Sequence, residues 1–140
     1  MVCGAGVKPR RVKTSVSLID LPSTFLDVAR LPIHSSLRGV SLTHWLEGGN
    51  GPHPPVFFEK HKGSALPQKG MVMWPYKVII KMAYNEVQIY DLERDPRERT
   101  NLYSTIAPAT RGQLTGLLSH WTNEVLNVRA PGHTQTADLY

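Results

Sequence analysis

The chain has 140 residues, 41% of them apolar, and its 16 Lys and Arg against 11 Asp and Glu leave a net charge of +5. That length suits one domain, the apolar share excludes a fully disordered chain, and no apolar run nears the ~18 residues of a membrane span. The charge favours an anionic partner, such as a sulfated or phosphorylated substrate or a nucleic acid, but an ordinary basic surface accounts for it too, since no run of five like charges exists.

The single cysteine, Cys3, permits no intramolecular disulfide. Met1–Gly6 is too short and too poor in apolar residues for a signal peptide. Gly4-Ala5-Gly6 and Pro9 predict a turn, and Lys8, Arg10, Arg11 and Lys13 a basic linker, solvated or anion-binding. A helix is predicted over Asp20–Leu31, with Asp20 as N-cap, Pro22 in the first turn and Pro32 as the stop. Leu21, Phe25, Val28 and Ala29 form its apolar stripe. Ser41 caps a short predicted helix over Leu42–Glu47, with Trp45 and Leu46 inward and Gly48-Gly49 ending it. Residues 48–55 read as a loop.

Val56–Phe58 reads as a short strand and Glu59–Lys69 as a polar loop. Met71–Trp74 and Tyr76–Lys81 read as a strand broken or bulged at Pro75. After a turn at Met82–Glu86, Val87 and Ile89 alternate with Gln88 and Tyr90, the period of a strand with one buried face. Asp95-Pro96 breaks that strand. Asp95 is expected to cap a short helical turn, with Glu98 reaching back as in a capping box, and Asn101-Leu102 to drop an apolar side chain onto the sheet. The last helix starts near Ser104 or Thr105, with Pro108 in its first turn. Leu114, Leu117, Leu118, Trp121 and Val125 make its apolar face, and Gly112 and Gly116 each weaken it by roughly 1 kcal/mol. Arg129–Tyr140 reads as a disordered tail. The fold class is α+β, a small antiparallel sheet of three or four strands with a packed C-terminal helix. Trp121, Leu117 and Leu118 are expected against Val78, Ile80, Val87 or Ile89.

Two stretches carry a family resemblance. Glu86–Leu102, EVQIYDLERDPRERTNL, resembles the close of the sulfatase family, where ELYDL runs into xxDPxExxNL. Val16–Pro32, VSLIDLPSTFLDVARLP, resembles that family's xSLxDLxPTLLxLAGLP. The two lie in the family's order, and the similarity spans roughly residues 2 to 126. It implies the C-terminal subdomain of an alkaline-phosphatase-like fold: 1–14 as a linker and remnant of a catalytic-core strand, 15–128 as the subdomain, 129–140 as the tail. In that family the nucleophile is a formylglycine made from a C-x-P-x-R or S-x-P-x-R motif, beside a divalent cation, usually calcium. Both belong to the N-terminal catalytic domain. Cys3 is followed by Gly4, Ala5 and Gly6 and does not fit the motif. No catalytic residue, metal ligand or cofactor is therefore assigned to this chain. The implied partners are the missing N-terminal catalytic domain and the parent's anionic sulfated substrate. A related phosphodiesterase or phosphonate monoester hydrolase, or a non-enzymatic truncated binding module, remain as alternatives.

One site is expected: Lys60, His61 and Lys62, leaving a strand end near the cleft rim that the resemblance implies, to meet an anionic substrate. The six histidines lack zinc spacings, and no Walker, G-x-G-x-x-G or G-x-S-x-G motif occurs. Asp20 and Asp27 read as capping and solvated residues. Trp45, Trp74 and Trp121 read as core residues rather than as a base-stacking set, so no nucleic acid or membrane partner is expected. Finally, Leu18, Leu21, Phe25 and Val28 exceed what a small sheet can cover, and an exposed apolar patch is expected there.

Overall fold

Four antiparallel strands, β1 (Val56–Lys60), β2 (Gln68–Met73), β3 (Tyr76–Lys81) and β4 (Glu86–Asp91), pair in sequence order. They belong to a computed structural model that describes residues 8–60 and 67–127. Register places Phe57, Met71, Val78 and Ile89 side by side across all four strands. Side chains alternate along a strand, so this row and its neighbours Ile80 and Val87 share one face. The long helix α3 (Pro108–Asn127) lies on that face. Met71, Val78, Ile89, Leu114 and Leu118 are wholly buried there, with Leu117, Trp121, Ile80 and Val87 packed around them. The expected seating of the last helix is therefore observed. Trp121 reaches the far edge strand, stacking on Phe57 with centroids 4.8 Å apart and planes 8° from parallel.

The sheet is longer and its edges more polar than the sequence suggested. β1 runs on through Glu59 and Lys60, and β2 takes in Gln68 and Lys69, all four expected in a loop, as well as Gly70. Apolar alternation misses them: Glu59 and Lys60 are exposed on the edge strand β1, whereas Lys69, on the inner strand β2, lays its polar side chain over the Trp121 ring. Gly70 has a packing reason: a Cβ there would lie 2.2 Å from the Phe58 ring, which crosses it on the second face. Pro75 does not bulge a strand. Trp74-Pro75 is the two-residue turn of the β2–β3 hairpin, with Met73 paired to Tyr76. Trp74 is thus exposed at a turn and is not a core residue.

The motif after β4 works by hydrogen bonds to main chain. Asp91 Oδ1 accepts the N–H groups of Glu93 and Arg94. Asp95 Oδ2 accepts those of Arg99 and Thr100 at 2.7 and 2.8 Å, so it caps a turn, but no helix forms. Glu98 does not reach back. It accepts a hydrogen bond at each oxygen, both 2.8 Å, from Lys77 on the second face of the sheet. Asn101 Oδ1 takes the Ile89 N–H, and Leu102 N–H donates to the Ile89 carbonyl. These bonds close part of the outer edge of β4.

Helix α1 is Asp20–Val28, shorter than expected, and α2 is Thr43–Leu46. α1 stops before Pro32 acts, because Arg30 turns left-handed at φ 57. Arg30 N–H then bonds the Asp27 carbonyl and Leu31 N–H that of Leu26, a Schellman closure. The tail expected at 129–140 and the turn expected at Gly4-Ala5-Gly6 lie outside the described residues.

Candidate functional site

Helix α1 is amphipathic, but its polar stripe faces the rest of the chain. Asp20, Ser23, Thr24 and Asp27 recur at i, i+3, i+4 and i+7, and the first three are buried. Each holds the segment 39–43 that crosses the helix. Val40 N–H donates to Asp20 Oδ1 at 3.0 Å, and Ser23 Oγ donates to the Gly39 carbonyl at 2.7 Å. Thr24 Oγ1 accepts Leu42 N–H at 3.0 Å and donates to the Asp20 carbonyl. The hydroxyls of Ser41 and Thr43 both donate to Asp27 Oδ2. Gly39 is required by this closeness: a Cβ there would fall 1.9 Å from the Ile19 carbonyl oxygen. The expectation that Asp20 and Asp27 merely cap and solvate is corrected. They are the ties that seat the helix.

The Asp27 carboxyl is held below its usual range, first by the Ser41 hydroxyl and then by that of Thr43, against a smaller desolvation cost. Asp20 also takes the Ser17 N–H at 2.7 Å and lies 3.2 Å from His53 Nε2, in a pair buried on both sides. His53 Nδ1–H donates to the Pro54 carbonyl, so this residue fastens α1 to the entry of β1. The cap position of α2 is Leu42 rather than the expected Ser41, whose hydroxyl instead accepts the N–H of Thr43, the first helical residue.

The apolar stripe is left facing out. Leu18 is 83% exposed, Phe25 67% and Val28 65%, while Leu21 is half-buried. Val16, Ile19, Leu31 and Ile33, on either side of the helix in sequence, are exposed as well. The exposed apolar residues expected around the first helix are present. A helix that buries hydroxyls and carboxylates and exposes Phe and Val presents a surface for another body. Sequence periodicity found the apolar stripe and its exposure, but not the buried polar stripe of Asp20, Ser23, Thr24 and Asp27.

Lys60 stands exposed at the end of β1, opposite Gln68. His61 and Lys62 lie outside the described residues. Among the described residues no three His, Cys, Asp or Glu side chains converge as metal ligands. The carboxylates of Asp20 and Asp27 are already engaged by Ser17, Val40, Ser41 and Thr43, so these residues do not fit a divalent cation. No described helix is long and apolar enough to cross a membrane.

Comparison with known proteins places this arrangement. Residues 3–118 match the family described as N-sulphoglucosamine sulphohydrolase, C-terminal. The chain is 30% identical over 114 residues to arylsulfatase K of Gallus gallus, covering 73% of this chain and 21% of that protein. It is equally similar to arylsulfatase K of Rattus norvegicus, of which it covers 20%. The chain thus spans about a fifth of the length of these relatives. Among solved structures, that of BT4656 in complex with its substrate D-glucosamine-2-N,6-O-disulfate superposes with a TM-score of 0.65 at 24% identity, a likeness of fold. It covers 78% of this chain and 24% of that one. BT1596, a 2-O GAG sulfatase, gives 0.60 at 27% identity, covering 79% of this chain and 26% of its own. With the strand order, the packed terminal helix and both motifs in register, the chain belongs to the sulfatase family as a C-terminal portion of its alkaline-phosphatase-like fold.

Proposed function

We propose that this chain is the C-terminal subdomain of a sulfuric ester hydrolase and completes that enzyme by docking on its catalytic part, with no hydrolytic power of its own. The observation that carries this reading is the inverted helix α1, whose ties are polar and internal and whose apolar face is uncovered. Relatives and neighbours with sulfatase names, roughly four to five times longer than the matched portion, supply a body of the right kind to cover it. The calcium and formylglycine of the family then belong to that body, where they supply the nucleophile and the charge stabilisation. A sulfated sugar is the substrate class favoured, by analogy with BT4656 bound to D-glucosamine-2-N,6-O-disulfate and with the 2-O GAG sulfatase BT1596. Lys60, which ends β1, and the two residues after it in sequence, His61 and Lys62, are assigned to the cleft rim, where they would meet the substrate's anionic groups.

The test has two arms. The purified chain should release no sulfate from nitrocatechol sulfate, with or without calcium. Turnover above buffer, free of host sulfatases, would overturn the reading. The frame upstream of Met1, extended to a C-x-P-x-R or S-x-P-x-R segment and expressed as one polypeptide, should cleave aryl sulfate in preference to a phosphodiester or phosphonate ester. The reverse preference would favour a phosphodiesterase or phosphonate hydrolase.

A further inference from the structure

A groove runs past the tip of the β2–β3 hairpin. One part, about 370 Å³, lies among Arg11, Lys13, Trp74, Leu92, Glu93 and Pro96. A second, about 220 Å³, continues it to Gly51, Pro52 and His53. Lys13, Thr14 and Trp74 line both, so the two are one trough with the indole between them. Trp45 and Trp121 each have an aromatic partner in the fold, His44 or His53 for one and Phe57 for the other. Trp74 is 37% exposed at a two-residue turn, a position that needs no indole for stability.

The wall opposite Trp74 is pre-formed. Arg10 donates to the Gly49 carbonyl at 3.0 Å and to Asn50 Oδ1 at 2.8 Å, and Thr14 Oγ1 accepts the His53 N–H at 3.3 Å. The linker is thereby pinned at both ends, and Arg11 lines the trough while its neighbour Arg10 is spent on the loop. Arg11 makes no ion pair among the described residues, and Lys13 makes one exposed contact, to Glu93 at 3.4 Å. Glu93 lines the same part and is drawn to Lys13, which leaves Arg11 as the cation beside the indole that is free for an anion among the described residues. An aromatic surface with such a cation matches a ring with an apolar face and an anionic substituent.

We propose that this trough is a saccharide subsite, in which Trp74 carries one ring of a glycan and Arg11 holds that ring's sulfate. The proposal rests on the reading of the parent as a hydrolase of sulfated sugars, and extends it to a glycan unit held on this subdomain.

The test uses the full chain and a sulfated heparin disaccharide, followed by tryptophan fluorescence and calorimetry. The disaccharide should bind, and added salt should weaken it. Arg11→Gln, an exposed change that leaves the fold intact, should weaken binding about tenfold, the loss of a charge-assisted hydrogen bond. Trp74→Ala should weaken it as much and remove the fluorescence change. The desulfated disaccharide should bind more weakly and be insensitive to Arg11→Gln. No binding at millimolar disaccharide, or inorganic sulfate binding as tightly and indifferent to Trp74→Ala, would overturn the subsite. Lost binding alongside intact sulfate release by the longer polypeptide would refute the subsite alone. Intact binding without sulfate release would refute the enzyme reading alone.

Discussion

At the scale of single residues, Asp27 shows how far a sequence can be read and where it stops. Its position seven after Asp20 was plain, but a carboxylate on a helix is usually solvated, and only the return of Ser41 and Thr43 makes it a tie. That return depends on Gly39, whose missing Cβ lets the crossing segment touch the Ile19 carbonyl. The consequence is testable by pH. Asp27 titrates lower folded than its ordinary 3.8, so its stabilisation is present above that value. As pH falls, the unfolded chain takes up the proton first, and the stabilisation is gone once pH passes below the folded value. Thermal unfolding should therefore show wild type above Asp27→Asn at pH 7, with the gap closing as pH drops below 3.8. A gap that stays constant down to pH 2 would mean that Ser41 and Thr43 do not favour the charged form. Tyr90 behaves oppositely at the alkaline end: burial, the chief cause, raises its phenol, so ionisation above pH 10 opposes the fold.

At the scale of elements, legibility tracks how deeply each is buried. β3, β4 and α3 stood out because their apolar residues recur at the right period and all reach the same core. The ends of β1 and β2 did not, since Glu59 and Lys60 are exposed and Gln68 and Lys69 are half-buried polar side chains that break the apolar period. The hairpin turn was hidden because Trp-Pro carries none of the Asn-Gly or Gly signals of a two-residue loop. The capping box was expected at the right place but on the wrong partner, as Lys77 on the sheet draws Glu98 away. Energetically the core row should dominate. Leu118→Ala, at a wholly buried position on α3, should cost about 2–5 kcal/mol. Leu18→Ala, at a residue 83% exposed, should stay within about 0.5 kcal/mol of wild type. Urea unfolding of both variants checks the pair. Equal losses would mean that Leu18 is covered in solution, by a second copy or by a segment outside the described residues.

At the scale of the whole molecule, the two halves differ in what holds them. The sheet and α3 close around an apolar core, whereas α1 and the segment 39–43 are joined by hydrogen bonds and leave apolar surface outside. A small body of this kind buries a reduced share of its surface, and water gains by removing what remains exposed. In isolation another copy of the chain offers such cover. The purified chain should therefore associate as concentration rises, seen as an increasing mean mass in light scattering. Phe25→Asp should suppress this, because Phe25 is 67% exposed and makes none of the polar ties that seat α1. Its melting temperature at low concentration should stay close to wild type, which separates loss of association from loss of fold. If wild type runs as a clean monomer at every concentration, with Phe25, Val28 and Leu18 protected from solvent, the apolar face is already satisfied within one chain. The subdomain then stands by itself, and the docking on a catalytic part loses its physical motive.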